Sequence, residues 1–288
     1  MLLRSTFRHR QILALVFLLL ATPGSARVLL RWTQPSIPPA ANMGIGDLLV
    51  SYDAETMIVT ARSQGYRVYA EVPITKASTS AAIVSKNDLA GIVLNPDDAQ
   101  PSQIDDALAT LRSAYPEIPV LVLDTRAKQP QMKGQLVIKR DGILQVTSPT
   151  AQPWIDTNLA LVKLDRAFRP AQTPLYEFRW ELSDPLQQEQ GPDTADYLLA
   201  VAEAAAFHAD LVLDLHPKLQ TDLLRKDPAA WAVLNEIKRY MTFSSEAGKD
   251  AREPEANVGV IADTHLNSYE PINLLARHNI PFQVLTTS

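Results

Sequence analysis

Short apolar runs return along this chain, and a helical pattern follows most of them. The runs are "VLLRWT" (28–33), "DLLVSYD" (47–53), "YRVYAEVP" (66–73), "LAGIVLNP" (89–96), "PVLVLDT" (119–125), "TPLYEFRWELSDP" (173–185), "DLVLDLHP" (210–217) and "YMTFSS" (240–245). Between them, "PSQIDDALATLRSAYP" sets Ile104, Leu108, Leu111 and Tyr115 at helical spacing, with Pro101 near its start. A second helix is expected near 154–168, with Ile155, Leu159 and Val162 on one face. A third, Ala-rich, covers 194–209, and Asp227-Pro228 opens a fourth that carries Trp231, Leu234 and Ile237. Strands that alternate with helices pair in parallel, because a crossover helix is what returns the chain to the same end of a sheet. Eight such units in a chain of 288 residues predict an α/β fold, a (β/α)8 TIM-like barrel. An open, doubly wound sheet is the competing arrangement.

The rhythm breaks once. In "QLVIKRDGILQVTS", Asp141-Gly142 lies between two strand-like runs and predicts a β-hairpin, since Asp-Gly supplies the positive φ angles of a type I′ turn. The hairpin follows the fifth strand, so it is expected to rim the mouth of the barrel.

The two ends read differently. Arg4, Arg8 and Arg10, the apolar run "ILALVFLLLA" and the small residues Gly24 and Ala26 form the pattern of a secretory signal peptide over 1–26, cut before Arg27. The run is too short for a comfortable membrane span, so a secreted or periplasmic protein with no stable span after cleavage is expected, an uncleaved anchor being the alternative. The barrel occupies 27–245, and the charged stretch 246–256 reads as a linker. Over 257–288 a strand, a helix and a strand follow, an incomplete α/β (βαβ) unit. Such a unit cannot bury both faces of its sheet, so either it belongs to a longer domain or it docks on the barrel.

Composition removes several functions. The net charge is −5 and no basic stripe appears, which argues against nucleic acid as a partner. Cysteine is absent, so disulfides, a thiol nucleophile and thiolate metal sites are out. Neither a phosphate-binding glycine loop, a G-x-S-x-G elbow nor an H-E-x-x-H pair occurs, and no metal or cofactor is expected. Oligomeric state leaves no mark in the sequence.

In a barrel, side chains alternate between the axis and the helical layer, and the site stands at the C-terminal strand ends. On that rule Arg31, Thr33, Ser51, Asp53, Tyr69, Glu71, Asn95, Asp124, Glu177, Arg179, Glu181, Asp214 and His216 face inward. Tyr176, Phe178 and Trp180 alternate with the charges and pack under the helices. Glu177 and Arg179 are expected to neutralise each other, since a lone buried charge is very costly. A mouth lined with acids suits glycoside hydrolysis, where one carboxyl protonates the leaving oxygen and another attacks or activates water. Glu181 and Asp214 form the leading catalytic pair, with Glu71 and Asp124 in reserve. Arg31, Trp32, Asp53, Asn95, Arg179 and His216 are the candidate saccharide-binding residues. Trp32, Tyr52, Tyr69 or Trp180 could give a sugar an aromatic platform. The alternative is a non-catalytic carbohydrate-binding or vestigial barrel, with the acids held by arginines.

The leader, the barrel-like stretch and the trailing unit together resemble secreted bacterial glycoside-hydrolase-type TIM barrels. "ANVGVIADTHLNSYEPINLLARHNIPFQVL" is similar to the start of the glutamine-amidotransferase-like, flavodoxin-like domain that follows such barrels in some β-galactosidase-type proteins. That resemblance implies a retaining hydrolase with an Asn-Glu pair at the fourth strand end and a Glu at the seventh. This chain has Asn95-Pro96 and Asp214 there. "GVIADTHLNS" also resembles the first metal-binding motif of calcineurin-like metallophosphoesterases, which implies Asp263 and His265 as ligands. That family needs further ligands downstream, and the sole later histidine is His278.

Overall fold

The computed structural model describes residues 26–80, 88–127, 137–140, 143–146, 158–180, 185–248 and 255–286. Seven strands close a parallel barrel: β1 (Val28–Arg31), β2 (Asp47–Ser51), β3 (Arg67–Pro73), β4 (Gly91–Asn95), β5 (Val120–Asp124), β8 (Leu175–Phe178) and β9 (Asp210–Asp214). Strands β6 (Val137–Arg140) and β7 (Ile143–Val146) form the expected antiparallel hairpin. Its turn residues, Asp141 and Gly142, lie outside the described residues. The helices are α1 (Ala40–Met43), α2 (Glu55–Ser63), α3 (Pro101–Ala114), α4 (Leu159–Phe168), α5 (Pro185–Gln190), α6 (Thr194–Ala206), α7 (Pro217–Leu224), α8 (Pro228–Gly248) and α9 (His265–Arg277). The fold is therefore an α/β barrel of TIM type.

The strands bury both faces, and their apolar residues sort into two layers. Leu29, Leu49, Tyr69, Val93, Leu123, Leu175 and Val212 fill the barrel interior. Leu30, Leu48, Val68, Ala70, Ile92, Val122, Tyr176, Phe178, Leu211 and Leu213 pack outward under the helices. Alternate residues of each strand thus serve different layers, which is what a closed parallel sheet requires.

Helix starts follow local chemistry. Pro101 opens α3, while Gln103 Oε1 accepts the N–H of Gln100 at 2.8 Å. Asp193 and Asp196 form a capping box at α6, each accepting the other's backbone N–H. Asp227 Oδ1 accepts from the N–H groups of Ala229 and Ala230 at the start of α8.

The expected eighth strand does not form. Residues 240–245 continue α8, which runs to Gly248 without an internal glycine or proline to stop it. The helix buries Leu234 and Ile237 completely and packs along α6. It also takes up the first part of the expected linker. With residues 240–245 helical, β1 pairs directly with β9, Val28 opposite Leu211 and Arg31 opposite Asp214.

Beyond the barrel, β10 (Val258–Ala262) and β11 (Phe282–Thr286) pair in parallel, joined by α9. Ala262, Ile272 and Phe282 bury against Ala160 and Leu164 of α4, and Asn273 Oδ1 accepts the N–H of Ala160 at 3.3 Å. Among the described residues no third strand joins this small sheet, and no helix is long and apolar enough to cross a membrane.

Candidate functional site

The aromatic face of "YEFRW" is buried under the helices, with Tyr176 and Phe178 almost fully covered. The charged face points to the barrel axis. There Arg31, at the end of β1, holds three carboxylates from three other strands. Its Nε and Nη2 meet Oε2 and Oε1 of Glu71 at 3.0 and 2.8 Å. Its Nη1 meets Oε2 of Glu177 at 2.5 Å and Oδ2 of Asp214 at 3.5 Å. Asn95 adds a bond from Nδ2 to Glu71 Oε1 at 2.8 Å. Arg179 lies nearer the solvent, 3.3 Å from Glu177 and 3.7 Å from Asp214. So Glu71, Glu177, Asp214, Arg31, Asn95 and Arg179 come together in one network, at the strand ends where a barrel site is built.

The electrostatics follow from burial. Burial alone pulls the Arg31 pKa down, but the fields of Glu71, Glu177 and Asp214 outweigh it and the net direction is up. Asp214 moves the other way from an ordinary ion pair. Its burial raises its pKa more than Arg31 and Arg179 lower it, and Glu177 adds to the rise. Of the three acids it has the longest contacts to arginine. The cluster is a shared one, in which a single guanidinium satisfies acids from β3, β8 and β9.

Other expected site residues go elsewhere. Asp124 is a correction. Leu121 and Leu123 line the barrel interior, so the phase of β5 is the reverse of the one expected and Asp124 leaves the axis. It is held by Arg126 through Nε at 2.9 Å and Nη2 at 2.5 Å, with Asp165 of α4 close enough to feel both charges. Trp32 is a second correction. It is buried between the sheet and the helices, and its Nε1 donates to the Ser36 carbonyl at 2.7 Å, so it offers no sugar platform. Tyr69 is also buried inside the barrel, its hydroxyl accepting from Arg27 Nη1 at 3.0 Å towards the N-terminal strand ends.

Asp53 is exposed and accepts the Ser51 hydroxyl at 2.5 Å. Trp180 is partly buried against the outer core layer. His216 caps α7, where Nδ1 accepts the Lys218 N–H at 3.4 Å, and its N–H donates to the Tyr197 hydroxyl at 3.0 Å. Its ring lies over Gly191, whose φ of +76° and lack of a side chain both serve that contact. Glu181, half of the leading catalytic pair, lies outside the described residues. Asp263 is exposed and, among the described residues, bonds to its own helix start, at Thr264 and Asn267.

Two buried polar groups were not singled out in the sequence. Gln220 of α7 accepts from the Thr33 N–H at 2.9 Å and donates to the Leu215 carbonyl at 2.6 Å, tying the ends of β1 and β9. Glu203 of α6 is fully buried and accepts from Asn158 N and Nδ2 and from the Tyr176 hydroxyl. A polar residue in the apolar stripe of a helix is the signal that could have found Glu203. Among the described residues no group of acids and histidines is arranged to hold a metal ion.

No family model matches the chain, and no curated protein matches it. Among solved structures it is similar to the N-acetylneuraminic acid (sialic acid) synthetase of Leptospira borgpetersenii serovar Hardjo-bovis, crystallised with citrate. The identity is 13%, over 80% of this chain and 64% of that one, at a TM-score of 0.35. It is also similar to the N-acetylneuraminate lyase of Fusobacterium nucleatum. There the identity is 10%, over 88% and 98% of the two chains, at a TM-score of 0.37. The chain spans less than two thirds of the synthetase. Neither structure is a glycoside hydrolase or an amidotransferase.

The Arg31 network corrects the expected glycoside hydrolase. A hydrolytic pair must be free to protonate an oxygen and to attack or activate water across an open gap. Glu71 and Asp214 instead share Arg31, and Asp124 points away from them.

Proposed function

We propose that the chain is a non-hydrolytic binding barrel whose mouth takes a small, hydroxyl-rich ligand of saccharide type. One observation carries this reading: Arg31 engages Glu71, Glu177 and Asp214 at once. Carboxylates held in this way are not free to attack a sugar or to activate water, but they remain good acceptors, because an ionised carboxylate has about four lone-pair sites. Arg179, Asn95, Ser51 and Asp53 add donors and acceptors on the same end of the barrel. A rigid floor of alternating donors and acceptors suits vicinal hydroxyls, which are donors and acceptors themselves. Ordering of the floor before binding lowers the entropic cost of capture.

Calorimetric titration with a panel of neutral and amino monosaccharides and oligosaccharides tests this reading. At least one should bind, with a Kd between about 1 μM and about 1 mM. Arg179→Ala should weaken that binding by about tenfold, one lost hydrogen bond to a charged group. A panel without a binder would leave the cluster a purely structural plug. Turnover of a glycoside that disappears in Asp214→Asn would overturn the non-hydrolytic reading.

A further inference from the structure

The opposite end of the barrel holds a second polar cluster. Asp210 opens β9 and Asp47 opens β2, and both are buried. Asp47 Oδ2 receives Arg67 Nη2 at 2.6 Å, while its Oδ1 is buried with no hydrogen-bond partner among the described residues. Asp210 Oδ1 accepts the backbone N–H of Arg27 at 2.8 Å. Burial raises the Asp210 pKa, the Arg27 N–H and guanidinium lower it, and Asp47 adds to the rise. The Arg27 side chain turns to Tyr69, with the guanidinium 5.7 Å from the ring centroid. Leu211 N donates to the Arg27 carbonyl at 2.8 Å. Arg27 thus continues β1 along β9, and its nitrogen is fixed against a buried acid.

The leader pattern places its cleavage point at this same nitrogen. We propose that the Ala26–Arg27 bond is cut on export, and that the α-ammonium formed on Arg27 pairs with Asp210 and fastens the first barrel strand. The step is a peptide hydrolysis catalysed by a leader peptidase of the exporting cell. Water is consumed, the C–N bond breaks, Ala26 leaves as a carboxylate, and the Arg27 nitrogen becomes an ammonium. Ala26 lines an open cavity of about 490 Å³, beside Val28, His208 and Met241, so its removal takes nothing from the core. An amide N–H offers Asp210 one neutral donor. An ammonium offers three donors and a full charge, and charge-assisted bonds are about twice as strong as neutral ones. The second acid, Asp47, favours the added charge as well.

The full chain is expressed for export in a bacterial host, and the mature product is compared with the unprocessed chain retained in the cytoplasm. Sequencing should give Arg27 as the first residue. The processed chain should melt higher by on the order of 5 °C, and Asp210→Asn should abolish that difference. If Asp210→Asn does not fold, acylation of the α-amine decides. In the folded processed chain it should run at least about tenfold slower than in denaturant, as for an amine held charged by one pKa unit. A different first residue, equal melting temperatures, a difference that survives Asp210→Asn, or an α-amine that reacts equally fast in both states would each overturn the proposal.

Discussion

Arg31 and Glu71 meet through two parallel bonds, 3.0 and 2.8 Å long, across the barrel from β1 to β3, although β2 lies between those strands in the sheet. The pair closes a chord of the ring that backbone pairing leaves open. Removing Arg31 takes the shared partner from three carboxylates at the axis, leaving Arg179 to Glu177 and Asp214 and Asn95 to Glu71. Arg31→Met should therefore cost about 3–5 kcal/mol in denaturant unfolding, the usual penalty for breaking a buried pair from one side. Arg31→Lys should recover little of it, since an ammonium cannot make the two parallel bonds. A loss below about 1 kcal/mol would show that water repairs the cluster.

Asp214 should behave in the opposite way. Burial raises its folded pKa, against Arg31 and Arg179, so in the folded state its charged form is disfavoured. A carboxyl with a raised folded pKa supports stability at low pH and loses that support as pH rises through the folded pKa. Asp214→Asn should then be as stable as the parent or more stable at pH 7, by up to about 1 kcal/mol. The gap should vanish below about pH 3.9, where the acid is protonated in both states. Urea melts of both proteins from acid to neutral pH check this, and a mutant less stable at pH 7 would contradict it.

Gly91 of β4 lies opposite Tyr69 of β3, and a β-carbon on it would come within 2.6 Å of the tyrosine ring. The ring is buried and tethered by Arg27, so it has little room to give. Gly91→Ala should cost about 1–3 kcal/mol through overpacking. In a double-mutant cycle with Tyr69→Leu most of that penalty should disappear. Additive losses would place the strain elsewhere.

Asn158 gives buried Glu203 two donors, its N–H at 2.6 Å and Nδ2 at 2.7 Å, just ahead of α4. Asn158→Ala removes one of them from a carboxylate that has no contact with solvent. A stability loss of about 1–3 kcal/mol is expected. Asn158→Asp should cost more, because it sets a second acid against the first. Thermal melts at pH 7 distinguish the two.

The particular residues show what the sequence could and could not reveal. Seven strands were legible as apolar runs, and the unlike faces of "YEFRW" announced which side would meet the axis. "VLVLD" announced nothing of the kind. Both its faces are apolar because both are buried, so no local pattern marks its phase, and Asp124 lies on the side opposite to the expected one. "YMTFSS" looked like a strand in isolation. The helix before it had no residue to end it, and Leu234 and Ile237 already fixed the face that continues. The meeting of Arg31 with Glu71, Glu177 and Asp214 depends on register between distant strands, which no local pattern encodes.

Because β1 closes the ring against β9, the first strand and its last neighbour are separated by most of the barrel; Arg31 and Asp214 stand 183 positions apart. During synthesis the ring must therefore wait. The edge of β1 stays open while every later barrel strand is made, and the Arg31 cluster assembles only when β9 arrives. Contacts of such long range slow folding and leave an unpaired strand edge exposed to other chains. The seam between the first and last barrel strands is thus the place where this protein is most open to misassembly before it is finished, and where a chaperone would have most to protect.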